Sequence, residues 1–188
     1  MLVAIPDVLT AEQVAHGRRL LEAAQWVDGR VTAGHQGAHV KNNRQLPQDS
    51  QAGRELGEMI LTALSANVLF MSSALPLHVR DEEDSLWPRL AGYSPALDAT
   101  MAQMRAQHFA HQVRLDALTS ALEAVRQRPN EPVLHRELAA AASTLETDFE
   151  DHLGLEEAEL FPFLEEALGP EAHEAVIREI RARRSPPS

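Results

Sequence analysis

The chain of 188 residues contains no cysteine. That absence excludes a disulfide framework, a zinc ribbon, a thiolate nucleophile and any thiolate metal ligand. Basic residues are also in short supply: 17 Lys and Arg stand against 28 Asp and Glu, for a net charge of −11. A polyanion would be repelled, so no nucleic-acid partner is expected. No apolar run reads as long enough to span a membrane, and the charged start of a secretory signal is missing. The expectation is a soluble, cytoplasmic protein with no membrane partner. With 44% hydrophobic and 24% charged residues the composition is globular, which argues against wholesale disorder.

Charge divides the chain. Residues 1–77 hold six basic and seven acidic residues, whereas residues 78–188 hold eleven and twenty-one. The shift predicts a boundary near residue 77.

In the first part, Leu2–Ile5 reads as a short strand. Thr10 and Gln13 form a capping-box pattern ahead of a helix over about 11–25. Asp28-Gly29 is a turn signal inside Trp26–Val31, and residues 32–50 are polar loop. A second helix fits about 51–66, and Val68–Leu75 reads as a strand ending at Pro76. Strands mixed with helices predict a small α/β segment.

The segment WVDGRVTAGHQGAHVKNNRQLPQDS, residues 26–50, resembles the N-terminal region of PKHD-type hydroxylases. These are Fe(II)- and 2-oxoglutarate-dependent dioxygenases, and the resemblance extends over about residues 1–78. It implies an iron site made by two histidines and a carboxylate, opening with H-x-D. None of the nine histidines has Asp two positions later. The nearest variant, His135-Arg136-Glu137, lies outside the resembling region in a helical stretch. His35 and His39 sit in the Gly-rich loop and read as ordinary solvated histidines, and His16, on the first helix, reads as an exposed or half-buried helical histidine.

The second part contains an internal repeat. HVRDEEDSLWPRL at 78–90 aligns with HLGLEEAELFPFL at 152–164, a shared H-x-x-x-E-E-x-x-L-aromatic-P-x-L offset by 74 residues. Residues i and i+4 share one helical face. His78 with Glu82, and His152 with Glu156, therefore each aim an imidazole and a carboxylate in one direction. Imidazole and carboxylate together suit non-haem iron, and facing helices bearing such pairs can enclose a dinuclear centre. The commoner alternative for acidic helical faces is plain solvation.

Between the copies, residues 96–127 carry an apolar stripe at helical spacing. His108 and His111 fall on that stripe and join the candidate metal ligands. A helix capped near Asn130-Glu131-Pro132 should run to about Leu168, with Pro162 as a kink point. A last helix spans about 171–183, followed by a disordered Ser-Pro-Pro-Ser tail at 185–188. His135 and His173 read as surface residues.

Residues 78–184 resemble the later part of a hemerythrin-like, or HHE, domain, on the motifs HVRDEEDSLWPRL, MRAQHFAH and HLGLEEAELFPFLEE. The resemblance implies an up-down four-helix bundle around a non-haem di-iron centre. His78, Glu82, His108, His152 and Glu156 match ligand positions, Glu82 and Glu156 would bridge the irons, and His111 is a further candidate. The family's first helix also donates a histidine, and here the hydroxylase-like segment takes its place. The fold expected is mainly α, an incomplete bundle over 78–184 preceded by a small α/β segment over 1–77. Pro76 should keep the bundle's second helix short at its N-terminal side.

The expected function is non-haem iron binding for oxygen binding, iron handling or sensing. Two irons would fill a complete site, and dioxygen or another small diatomic would be the ligand. No catalytic residue is assigned. A homodimer could cover the missing helix. The alternatives are a truncated 2-oxoglutarate dioxygenase, or a fusion product without independent activity.

Overall fold

A computed structural model describes residues 9–32, 43–47 and 49–185. The expected strand at 2–5, His35, His39 and the last three residues lie outside them. Helix α1 (Ala11–Ala23) starts as expected: the Thr10 side chain accepts from the Gln13 N–H, and the Gln13 side chain accepts from the Thr10 N–H. A two-residue antiparallel pair, β1 (Val27–Asp28) with β2 (Arg44–Gln45), follows.

Helix α2 runs over Gln51–Arg80. This corrects two expectations. Val68–Leu75 is helix rather than strand, and Pro76 lies within the helix rather than ending it. The physical reason is the burial pattern. Leu61, Leu64, Val68, Met71, Leu75 and Val79 recur at helical spacing and pack as one stripe against Leu115, Leu122 and Leu145. That packing outweighs the roughly 3 kcal/mol cost of a mid-helix proline. A strand would have sent alternate members of the set into water. By length and composition this helical stretch would suit a membrane crossing, contrary to the sequence expectation.

The backbone then makes a wide turn over Asp81–Leu86 and re-enters α-geometry in α3 (Trp87–Leu90). Gly92, at φ 80°, turns the chain, and Ser94 caps α4 (Pro95–Gln127). Helix α5 (Pro132–Leu155) returns antiparallel, passes a second wide turn at Glu156–Leu160, and continues as α6 (Phe161–Ala167). Helix α7 (Pro170–Arg184) closes the fold.

The two wide turns share a cause. In each copy of the repeat a proline sits six residues after the first Glu of the pair, at Pro88 and Pro162. Its ring clashes with the carbonyl four residues back, and its nitrogen has no proton to donate. The preceding residue bonds five residues back instead: Trp87 N–H to the Glu82 carbonyl, and Phe161 N–H to the Glu156 carbonyl. Such π-type turns often mark functional positions in helices.

Two apolar clusters bracket this region. One holds Trp87, Leu90, Leu97, Met101, Met104 and Leu160. The other is the Val68–Leu75–Leu115–Leu145 cluster. Each fully enclosed Leu or Met contributes about 1.5–3 kcal/mol. The repeat's tail packs unequally: Trp87 is buried, whereas Phe161 is 47% exposed.

Candidate metal centre

The repeat's histidines and first glutamates meet between the two clusters. Candidate ligand atoms of His78, Glu82, His108 and His152 all lie within 4.8 Å of one another. Glu156 joins them, with Oε1 3.1 Å from His152 Nε2 and 3.6 Å from His78 Nε2. Glu82 Oε1 is 3.8 Å from His78 Nε2, and Glu82 Oε2 is 3.0 Å from His108 Nε2. Helix α2 and its wide turn supply His78 and Glu82, α4 supplies His108, and α5 with its wide turn supplies His152 and Glu156.

The imidazoles are oriented from behind. His108 Nδ1 is 2.8 Å from Glu83 Oε1, and His152 Nδ1 is 3.0 Å from Gln107 Oε1. A carboxylate and an amide oxygen only accept, so each Nδ1 carries a proton and donates it. Both Nε2 atoms are thereby turned inward, 3.3 Å apart. Neutral, they present two lone pairs to each other. Glu82 Oε2 and Glu156 Oε1 are buried there without a hydrogen-bond partner. Converging lone pairs and orphaned carboxylate oxygens are costly in a buried place unless a cation sits among them. The donor set therefore fits a metal ion. It has three imidazoles and two carboxylates and no sulfur, a mixture suited to non-haem iron or a similar divalent ion.

Titration follows the same geometry. Burial pulls the His108 pKa down, but the Glu82 and Glu83 carboxylates outweigh it and the net shift is upward. Burial raises the Glu156 pKa, yet the neighbouring His152 and Glu82 side chains outweigh it and hold it below the ordinary glutamate value. The site opens on one side. The His78 side chain is 40% exposed, against 8% for Glu82, 3% for His108 and 1% for His152.

His111 is buried beside this group but directed elsewhere. Its Nε2–H donates to the Asp148 carbonyl at 3.1 Å, and its ring stacks on Phe149 at 4.4 Å. Nδ1 is left buried without a partner, and burial lowers the pKa, so the ring is neutral. His16 is exposed on α1, whose Gly17 packs against Leu56 and Met59 near the far end of α2. Met59 is about 28 Å along the helix from His78. His135 and His173 are exposed as expected.

Three participants escaped the sequence reading. Glu83 is the second glutamate of the first E-E pair, yet its counterpart Glu157 is exposed, so the motif alone does not signal the role. Gln107 carries no signal at all. Trp87 stacks on His108, ring centroids 5.2 Å apart and planes within 6°.

The description Hemerythrin HHE cation binding domain matches residues 35–164, well over half of the chain. The chain belongs to the hemerythrin HHE family. In this hemerythrin-like chain the family match begins ahead of α2, so α2 lies inside the matched stretch. A different set of relatives shares part of the sequence. A PKHD-type hydroxylase of Caulobacter sp. (strain K31) is 58% identical over 76 residues, 40% of this chain and 34% of that protein. A PKHD-type hydroxylase of Stenotrophomonas maltophilia (strain R551-3) is 60% identical over 77 residues, 41% of this chain and 34% of that protein. A third, from Methylobacillus flagellatus, is 44% identical over 109 residues, 58% of this chain and 48% of that protein. The chain thus spans about a third to a half of the length of these hydroxylases. No solved structure matches. The cation-binding family and the mainly helical fold agree with the sequence expectations, as does the pairing of a hemerythrin-like part with hydroxylase-like sequence.

Proposed function

We propose that this protein is a non-haem iron carrier or sensor, with iron held by His78, Glu82, His108, His152 and Glu156. The observation that carries the reading is the inward pair of Nε2 atoms, each fixed by an acceptor behind it. Iron held there would supply electrons and a binding position for a small diatomic ligand such as dioxygen. The residues do the rest. Glu83 and Gln107 orient the two buried imidazoles, the carboxylates of Glu82 and Glu156 neutralise charge, and the apolar clusters keep bulk water out. The exposed edge at His78 is the entrance. A full site would take two irons, held by these five residues. His111 stands beside the group with Nδ1 unpaired and is a further candidate donor.

The hydroxylase identity favours a second reading, a truncated 2-oxoglutarate dioxygenase. It lacks the H-x-D pattern that its chemistry needs. One experiment separates the two. Protein purified from iron-replete cells is assayed for metal per chain and for 2-oxoglutarate-dependent oxygen uptake. Iron approaching two per chain without 2-oxoglutarate turnover supports the carrier reading, and turnover with one iron supports the other.

A further inference from the structure

Helix α2 has no charged residue between Glu58 and His78. Only one face of it enters the core, and just 17% of its most apolar stretch is buried. On the outer side, Thr62, Ala66, Leu69, Ser73 and Pro76 follow Glu58 at steps of four, four, three, four and three, and Arg80 closes the stripe four residues on. All seven are exposed, Leu69 at 72%, with Phe70 beside it at 68%. The stripe is about 33 Å long at 1.5 Å per residue. Small side chains at Thr62, Ala66 and Ser73 let a second helix approach closely, and Leu69 and Phe70 supply the apolar area. On α4, Phe109 is 76% and Val113 48% exposed.

The charges at the ends of the stripe identify the occupant. Glu58 and Arg80 are equally distant from Leu69, eleven residues to either side, and Thr62 and Pro76 are seven to either side. Two α2 helices packed antiparallel with a two-fold axis at Leu69 bring each Glu58 against the other copy's Arg80. The same register opposes Arg54 and Asp84, also exposed. Asp84 already bonds Arg80 at 3.1 Å within one chain, so each end of the interface gathers two cations and two carboxylates. A parallel pair would stack like charges at both ends. Two copies of net charge −11 repel in general, so association needs a surface free of net charge, and this stripe is one.

We propose that a second copy of this chain docks on the outer face of α2, antiparallel, with the two-fold axis at Leu69. The contact is isologous, so every substitution acts twice. The proposal is independent of the metal, because the stripe lies outside the donor set.

The test uses the full chain, in light scattering after size exclusion at tens of micromolar, with circular dichroism to confirm folding. Wild type is expected to be a dimer. Leu69→Asp should weaken it at least a hundredfold. Glu58→Arg and Arg80→Glu should each weaken it about tenfold, and the double exchange should restore it. Register is read by oxidation of introduced cysteines, since the chain has none. Leu69→Cys should cross-link to itself, and Glu58→Cys only to Arg80→Cys. A wild-type monomer at 100 µM, a dimer untouched by Leu69→Asp, or self-linking of Glu58→Cys would overturn the proposal.

Discussion

His108 and His152 face each other through their Nε2 atoms at 3.3 Å, and the Nδ1 of each is committed to an oxygen that can only accept. With both rings neutral, each Nε2 offers only a lone pair, and the contact is favourable for neither. Either one ring becomes an imidazolium held by the nearby carboxylates, or a cation takes the space. Metal and proton therefore compete for the same nitrogens. The upward shift of His108 under Glu82 and Glu83 means that proton competition begins at higher pH than for a free histidine. Metal affinity should fall as pH drops through and below the ordinary histidine range. Titration of apparent iron affinity between pH 8 and 5 checks this, and a flat profile would contradict it.

Glu83 should matter through His108 rather than by touching metal. Glu83→Gln keeps the shape and weakens the acceptor behind the imidazole. Loss of such a partner typically costs 10–100-fold in metal affinity. Glu157, the equivalent position in the second copy, is exposed, so Glu157→Gln should leave affinity unchanged. Competition with a chelator of known affinity measures both. Equal affinities in the two variants would remove Glu83 from the site.

Iron content gives a coarser comparison. His152 is 1% exposed and His173 lies on the surface. His152→Ala should lower iron per chain by half or more, and His173→Ala should not. Elemental analysis decides, and equal values would count against the assignment.

Metal removal should destabilise the fold. A ligand at a hundred times its dissociation constant adds about 2.7 kcal/mol to the folded state. At 2–4 °C per kcal/mol for a chain of this size, chelation should lower Tm by about 5–10 °C. An unchanged Tm after verified iron removal would show that the carboxylates do not need the cation.

Much of this was legible in the residues. Caps and periodic apolar positions announced α1, α4 and α7 within a few residues of their ends, and the start of α5 with the end of α6; the wide turn that divides that last stretch was read as one continuous helix. The i, i+4 spacing of His78 with Glu82 and of His152 with Glu156 was enough to bring imidazole and carboxylate to one place. Helix α2 was not legible, because the run Val68-Leu69-Phe70-Met71 is apolar on every side and shows no period in the sequence alone. Only the partners on α4 and α5 select its core face. Glu83 and Gln107 were hidden for a related reason. What stands behind an imidazole depends on its side-chain rotation and on a neighbouring helix, and neither leaves a local pattern. The wide turns were within reach, since the proline recurs at the same offset in both copies.

Asp81 joins the first wide turn to α7. Its carboxylate accepts from Arg183 at 2.8 Å and from Arg184, while Arg183 also reaches Ser85 and Arg89 pairs with Glu179 at 2.6 Å. These contacts tie the C-terminal helix to the turn that carries Glu82. They involve only the first copy of the repeat; the second-copy counterparts of Asp81, Ser85 and Arg89 are Leu155, Glu159 and Phe163. Burial raises the Asp81 pKa, but the guanidinium groups of Arg184 and Arg183 outweigh it and the net shift is downward. A carboxylate with a depressed folded pKa stabilises the fold above its unfolded value, about 3.9, and loses that contribution as pH falls through the folded value. Asp81→Asn should therefore cost about 2 kcal/mol near pH 7. The difference from wild type should shrink below pH 4 and vanish once Asp81 is protonated in both states. Urea denaturation of the metal-free protein at pH 7, 4 and 3 measures it. A deficit that stays constant down to pH 3 would mean that shape, rather than charge, holds α7 in place.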